Sequence, residues 1–147
     1  MWPFTGSDDK QILDAVGKSQ AIIEFKPDGT IVSANKNFLD ALGYSLDEIR
    51  GRHHSLFVDP IEQGSPAYRS FWEALRRGEF QAKEFKRIAK GGREVWIQAS
   101  YNPVVNGSGT VYKVVKFATD ITAAKLRNAD YEGQIAAINR SQGVIQF

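Results

Sequence analysis

His53 and His54 stand side by side, and adjacent imidazoles are the first place to look for metal or acid–base chemistry. The chain has no third histidine and no cysteine, and one adjacent pair lacks the spaced ligands that a structural or catalytic metal needs. The pair therefore reads as solvent-exposed or structural. Glu62, Glu73, Glu79 and Glu84 stand at no spacing that pairs them for general acid–base work, and charged surface is their default. No nucleophile motif frames any serine. Gly91-Gly92 and Gly107-Ser108-Gly109 precede neither a helix nor a Gly-Lys-Ser/Thr, so they read as hairpin turns rather than phosphate loops. Nothing here assembles an enzyme. Five residues remain: Trp72, an indole that either fills a core or stacks on a ligand; Trp96 and Asn102, whose direction depends on strand register; and Asp120 with Thr122, where a strand hands over to a polar helix. Asp120 there can accept from the free N–H groups of the following turn.

Positioning these residues takes helices at both ends and five strands between. Ile12, Leu13 and Val16 share one helical face, with Ser7-Asp8-Asp9 as a cap region, and Gly17 stops that helix. Ser19 to Phe25 and Ile31 to Ser33 read as strands joined by Lys26-Pro27-Asp28-Gly29-Thr30, whose proline and Asp-Gly are turn chemistry. Asn35 to Leu42 is a short helix closed by Gly43, and Ser45-Leu46-Asp47-Glu48 is a capping box. The stretch from Arg52 to Pro66 reads as irregular. Ala67 to Arg77 is the clearest helix, with Tyr68, Phe71, Trp72 and Leu75 on one side. Strands follow at Phe80 to Ile88, Val95 to Asn102 and Tyr112 to Thr119. Segregated strands and helices predict an α+β fold: a five-stranded antiparallel sheet, short helices on one face, and flanking N- and C-terminal helices.

At 147 residues, 42% hydrophobic and with a net charge of +2, the chain suits one globular domain and shows no basic stripe for nucleic acid. No apolar run approaches membrane-spanning length, and Met1 to Gly6 does not read as a secretory signal, so the expected compartment is cytoplasmic. An internal echo sets the larger organisation. At an offset of 122 (141 − 19), Ala15, Ser19, Gln20, Ile23 and Phe25 recur as Ala137, Ser141, Gln142, Ile145 and Phe147. The expected layout is an N-terminal helix over 1–18, a domain over 19–122, a connecting helix over 123–139, and the first strand of a second repeat over 140–147.

Ile31-Val32-Ser33-Ala34-Asn35, then Phe38, Gly43-Tyr44-Ser45, Glu48 and Gly51, resembles the first half of a PAS domain. Phe85-Lys86-Arg87, Lys90-Gly91-Gly92, Val95 to Ser100 and Asp120-Ile121-Thr122 resemble the second half. The likeness is to the tandem PAS domains of bacterial cytoplasmic chemotaxis receptors and to flavin-holding aerotaxis receptors. It implies a cupped sheet whose short helices close a pocket, and output through the flanking helices with Asp120 and Thr122 as the coupling point. It implies a sensor of redox, oxygen or a small ligand. A ligand-free module that dimerises and relays is the alternative. The implied cofactor is FAD lying between the sheet and the helix over 67–77, with Trp72 near the ring, an apolar floor around Trp96 and Ile97, and Asn102 at the ring edge. Haem or no cofactor are the other readings. Light-sensing variants that use a flavin–cysteinyl adduct or a thioester-linked chromophore are excluded, because the chain has no thiol. The implied partners are a second copy of the chain and adjacent PAS and signalling domains.

Overall fold

The computed structural model describes residues 6–141. Five antiparallel strands, β1 (Ala21–Phe25), β2 (Ile31–Ala34), β3 (Gln81–Ile88), β4 (Glu94–Val105) and β5 (Val111–Asp120), form one sheet in the order β2-β1-β5-β4-β3. The first and last strands in sequence are thus central neighbours, pairing Ile23 with Lys116 and Phe25 with Val114. Period-two alternation decides the rest. Ile23, Phe25, Phe85, Val95, Ile97, Ala99, Tyr101, Val114 and Ala118 turn one way into the core.

Four helices between β2 and β3 belong with that inner face: α2 (Lys36–Leu42), α3 (Leu46–Ile49), α4 (Pro60–Gln63) and α5 (Pro66–Arg76). Each begins on a side chain suited to it. Asn35 accepts from Phe38 N at 3.0 Å and also from Ile22 N, while its amide donates to Gly17 and Gln20 carbonyls. One asparagine therefore pins the entry of β1 to the start of α2. Ser45 and Glu48 complete the expected capping box. Ser65 caps α5 with Pro66 in its first turn, and Tyr68, Trp72, Ala74 and Leu75 are its buried residues. In the β1–β2 turn Gly29 has φ +93°, and a Cβ there would come within 2.5 Å of His53 Nε2, so glycine is required twice over.

Several boundaries differ from the sequence reading. The stretch over 52–66 contains a 3-10 turn, His54–Phe57, as well as α4; both are too short to leave a readable period. The first helix, α1, runs Gly6–Val16, so Ser7-Asp8-Asp9 lie in its first turn rather than before it. β4 continues past Asn102 to Val105 and includes Pro103. Its pairing with β3 ends at Tyr101, so Pro103 pairs with β5 alone, where a residue without an N–H is tolerated. The last helix, α6, spans Thr122–Ser141. From residue 142 on, the strand expected over 140–147 falls outside the described residues.

Candidate functional site

The interior between sheet and α5 is organised around His54. The 3-10 turn that carries it is capped by His53, whose Nδ1 accepts from Ser55 N while Nε2 meets Asp28 O at 2.9 Å. The pair therefore divides. His53 stays exposed, whereas His54 is fully buried, so the two take the two halves of the expected solvent-exposed or structural reading. His54 Nδ1 lies 2.7 Å from Tyr68 Oη, and Nε2 lies 2.9 Å from Tyr101 Oη. A neutral imidazole meets both hydroxyls with one nitrogen donating and the other accepting. Neutral is the state its surroundings impose. Burial, and then the charges of Arg87 and Lys116, hold its pKa well below the usual 6.5.

Those two cations are the other surprise. Arg87 on β3 and Lys116 on β5 both take the inward parity, and with His54 they are the buried polar or charged side chains among the described residues. Arg87 Nη2 donates to Tyr101 Oη at 3.2 Å, and Nη1 lies 3.3 Å from Glu62 Oε2 on α4. Its guanidinium also rests 4.6 Å from the centroid of Phe85. Lys116 Nζ sits 4.8 Å from the Tyr101 centroid and 5.7 Å from that of Phe38. Burial pulls the lysine pKa down. Burial alone would raise that of Tyr101, but the two cations outweigh it and leave the phenol below its ordinary value. Tyr68, shielded from water, is pushed up to about 12.

The sequence-predicted residues do not converge. Trp72 is buried, in edge contact with Phe25 at 5.6 Å and His54 at 5.3 Å, and its Nε1 has no hydrogen-bond partner among the described residues. Trp96 and Asn102 take the opposite parity and lie on the outer face of the sheet, so Trp96 and Ile97 form no common floor. Asn102 Nδ2 is used there by Ser100 Oγ and Val115 O. A flavin held by Trp72, Trp96 and Asn102 together does not fit this arrangement. Haem fits no better, since the ring nitrogens of both histidines are already engaged.

Trp96 has a different setting. Its N–H donates to Thr122 Oγ1 at 2.9 Å and its carbonyl accepts from Ile121 N at 2.8 Å. Its ring holds Lys125 Nζ 4.9 Å from the centroid, and Lys125 pairs with Glu84 on β3 at 2.5 Å. Asp120 Oδ1 accepts from Thr122 N at 2.9 Å. Asp120, Thr122 and Trp96 thus share one junction where β4 and β5 meet α6. The sequence reading overlooked His54, Tyr101, Arg87 and Lys116 as a group. Strand parity with Phe85, Ala99 and Val114 was the available signal for the last three.

Comparison with known proteins follows the same line. A family model described as a PAS domain matches residues 19–123. The biofilm dispersion protein BdlA of Pseudomonas aeruginosa is 45% identical over 135 residues, covering 92% of this chain and 32% of the relative. The aerotaxis receptor of Escherichia coli is 31% identical over 75 residues, covering 51% of this chain and 15% of that one. The chain therefore spans a third or less of the length of these relatives. A solved light-oxygen-voltage domain, reported with a flavin analogue, aligns at TM-score 0.66 and 25% identity over 86% of this chain and 99% of its own. Among the described residues no helix is long and apolar enough to cross a membrane.

Proposed function

The chain belongs to the PAS domain family, and on that premise we propose that it is the sensory module of a bacterial chemotaxis-type receptor. It takes up a redox, oxygen or small-ligand signal and passes it to its neighbours through the flanking helices. The observation that carries this reading is the double role of β4. On its inner face Tyr101 closes the buried cluster with His54 and Arg87. Trp96 holds the start of α6, its main chain bonded to Ile121 and Thr122 and its outward ring on Lys125. A change in packing around Tyr101 shifts the strand that holds the output helix, without any contact between ligand and helix.

The finer parts of the reading rest on different supports. The flavin assignment has the buried Trp72 indole and the likeness to aerotaxis receptors in its favour, while the split of Trp72 from Trp96 and Asn102 stands against it. Association with a second copy is supported by apolar side chains left exposed on the flanking helices, Ile12 and Leu13 on α1 and Leu126, Tyr131 and Ile135 on α6. A cytoplasmic setting is supported by the absence of cysteine, and a motility or dispersion output by the names of the relatives.

The test is Asp120→Ala combined with Thr122→Val, read by amide hydrogen exchange. Loss of these caps costs about 0.5–2 kcal/mol, enough to fray one helix end and too little to unfold the domain. Exchange should quicken in the first turn of α6 while β4 and β5 stay protected, and the full-length receptor should signal with a biased output. Unchanged exchange in that turn, or wild-type output, refutes the coupling.

A further inference from the structure

Two cations lie inside this domain with no buried carboxylate beside them among the described residues. Moving an ion out of water costs several kcal/mol unless it is well paired, so an interior cation without a close carboxylate is an unusual feature of a core. Lys116 rests on two aromatic faces. Arg87 is 2% exposed, and its Nε is buried without a hydrogen-bond partner among the described residues. Its nearest carboxylate, Glu62, stands at a long 3.3 Å with its side chain 42% exposed, on a helix only four residues in length.

Arg87 also lines a cleft of ≈ 320 Å³ at the β3 edge. Tyr68 and Phe71 of α5 form one wall and Phe85 the other, Glu62 stands in the lining, and the cleft reaches Trp96. That volume lies at the low end of small-molecule sites, and the lining sets the aromatic rings beside charged groups, with Lys83, Lys86 and Arg87 facing Glu62 and Glu84.

We infer that this cleft binds a small organic carboxylate with an aromatic or apolar body. The carboxylate takes Arg87 in place of Glu62, and the body rests on the aromatic surface that Phe71 and Phe85 form together, their rings meeting edge to face at 5.8 Å. The donor that faces the cleft is Nη1, which now lies 3.3 Å from Glu62, and the stacking of Arg87 on Phe85 fixes the plane of the guanidinium that a carboxylate would meet there. Glu62 already shows which group the site accepts. Lys116 adds positive potential from within the same core. The cleft touches Trp96, so filling it acts directly on the residue that holds Lys125 and Thr122. As a signal this deepens, and rests on, the sensory reading above; as binding it stands without it.

The experiment titrates the purified chain with benzoate and with its uncharged analogue benzamide, following tryptophan fluorescence and thermal midpoint. Benzoate should bind at millimolar concentrations or better and benzamide at least about tenfold more weakly. Glu62→Gln removes the competing carboxylate from a half-exposed position without touching the core. It should tighten benzoate about fivefold and leave benzamide unchanged. Arg87→Met should abolish the preference for the acid. Equal binding of the two probes, no binding by wild type or Glu62→Gln up to about 20 mM, or no gain from Glu62→Gln each overturns the inference. Binding is read without reference to α6. A coupling failure with intact benzoate binding therefore sinks the relay alone, and the converse sinks the ligand alone.

Discussion

Replacing Lys116 by methionine should make the domain more stable. Lys116 is 1% exposed, sits on a central strand between Ile23 and Tyr101, and has aromatic faces rather than a carboxylate against its ammonium. Methionine keeps the length of the side chain and discards the charge. Apolar replacement of buried ions commonly returns about 1–4 kcal/mol. The lost cation–π contacts with Tyr101 and Phe38 take back roughly 0.5–2 kcal/mol. The expected net gain is on the order of 1–2 kcal/mol, or about 2–8 °C in thermal midpoint for a chain of this size. The pH dependence follows from the direction of the shift. Burial depresses the folded pKa below the usual 10.5, so the folded chain sheds its proton before the unfolded one does. The penalty is complete below the folded pKa and disappears as pH rises toward 10.5. The advantage of methionine should therefore be constant below the folded pKa of the lysine and shrink as pH rises from there toward 10.5. Urea unfolding of both proteins at neutral and alkaline pH measures this directly. A methionine variant less stable than wild type at neutral pH, or equally advantaged in alkali, refutes the account of Lys116 as an uncompensated ion.

Tyr101→Phe removes the hydroxyl shared by His54 Nε2 and Arg87 Nη2, stranding both in the core. It should cost about 1–3 kcal/mol by urea unfolding, and a change within error would mean that the cluster repairs itself. His54 has a depressed folded pKa, so its contribution is full above the usual 6.5 and declines as pH falls from there toward the folded value. Wild-type stability should drop on acidification from about pH 6.5 to 5, with up to about 1.4 kcal/mol per pH unit traceable to this one ring. His54→Gln should flatten that slope, and an unchanged slope assigns it elsewhere.

What was legible in the sequence was local. Pro27-Asp28-Gly29, the Ser45–Glu48 box and the spacing of Tyr68, Trp72 and Leu75 each leave a signature within a few residues, and each element formed where it was expected. His54 was not legible because its 3-10 turn is a single turn without a period, and its burial depends on Tyr101, 47 positions away. Arg87 and Lys116 were hidden by their own chemistry, since the ordinary reading places a lysine outside. Parity contradicts that reading, because Lys116 stands between Val114 and Ala118 on the inward register. The same rule separates Trp96 from Ile97, since neighbours on a strand face opposite ways. The candidate site was therefore readable in its strand residues by strict alternation, and not in the contributions of 52–66.

Among the described residues the sheet ends in two unpaired edges, β2 and β3, and each is blunted in its own way. β2 is four residues long, and the chain just before it, at Thr30, is bridged to His53. β3 is longer, but its exposed stretch runs Ala82-Lys83-Glu84, and Lys86 and Glu94 add an ion pair along it. Short length and alternating charge discourage a stranger's strand from docking on a ladder's open hydrogen bonds. Amyloid-like stacking and runaway polymerisation are thus suppressed at the two places where a sheet is most prone to them. Copies of this domain can be strung in series along one polypeptide at high local concentration and still keep their strands to themselves.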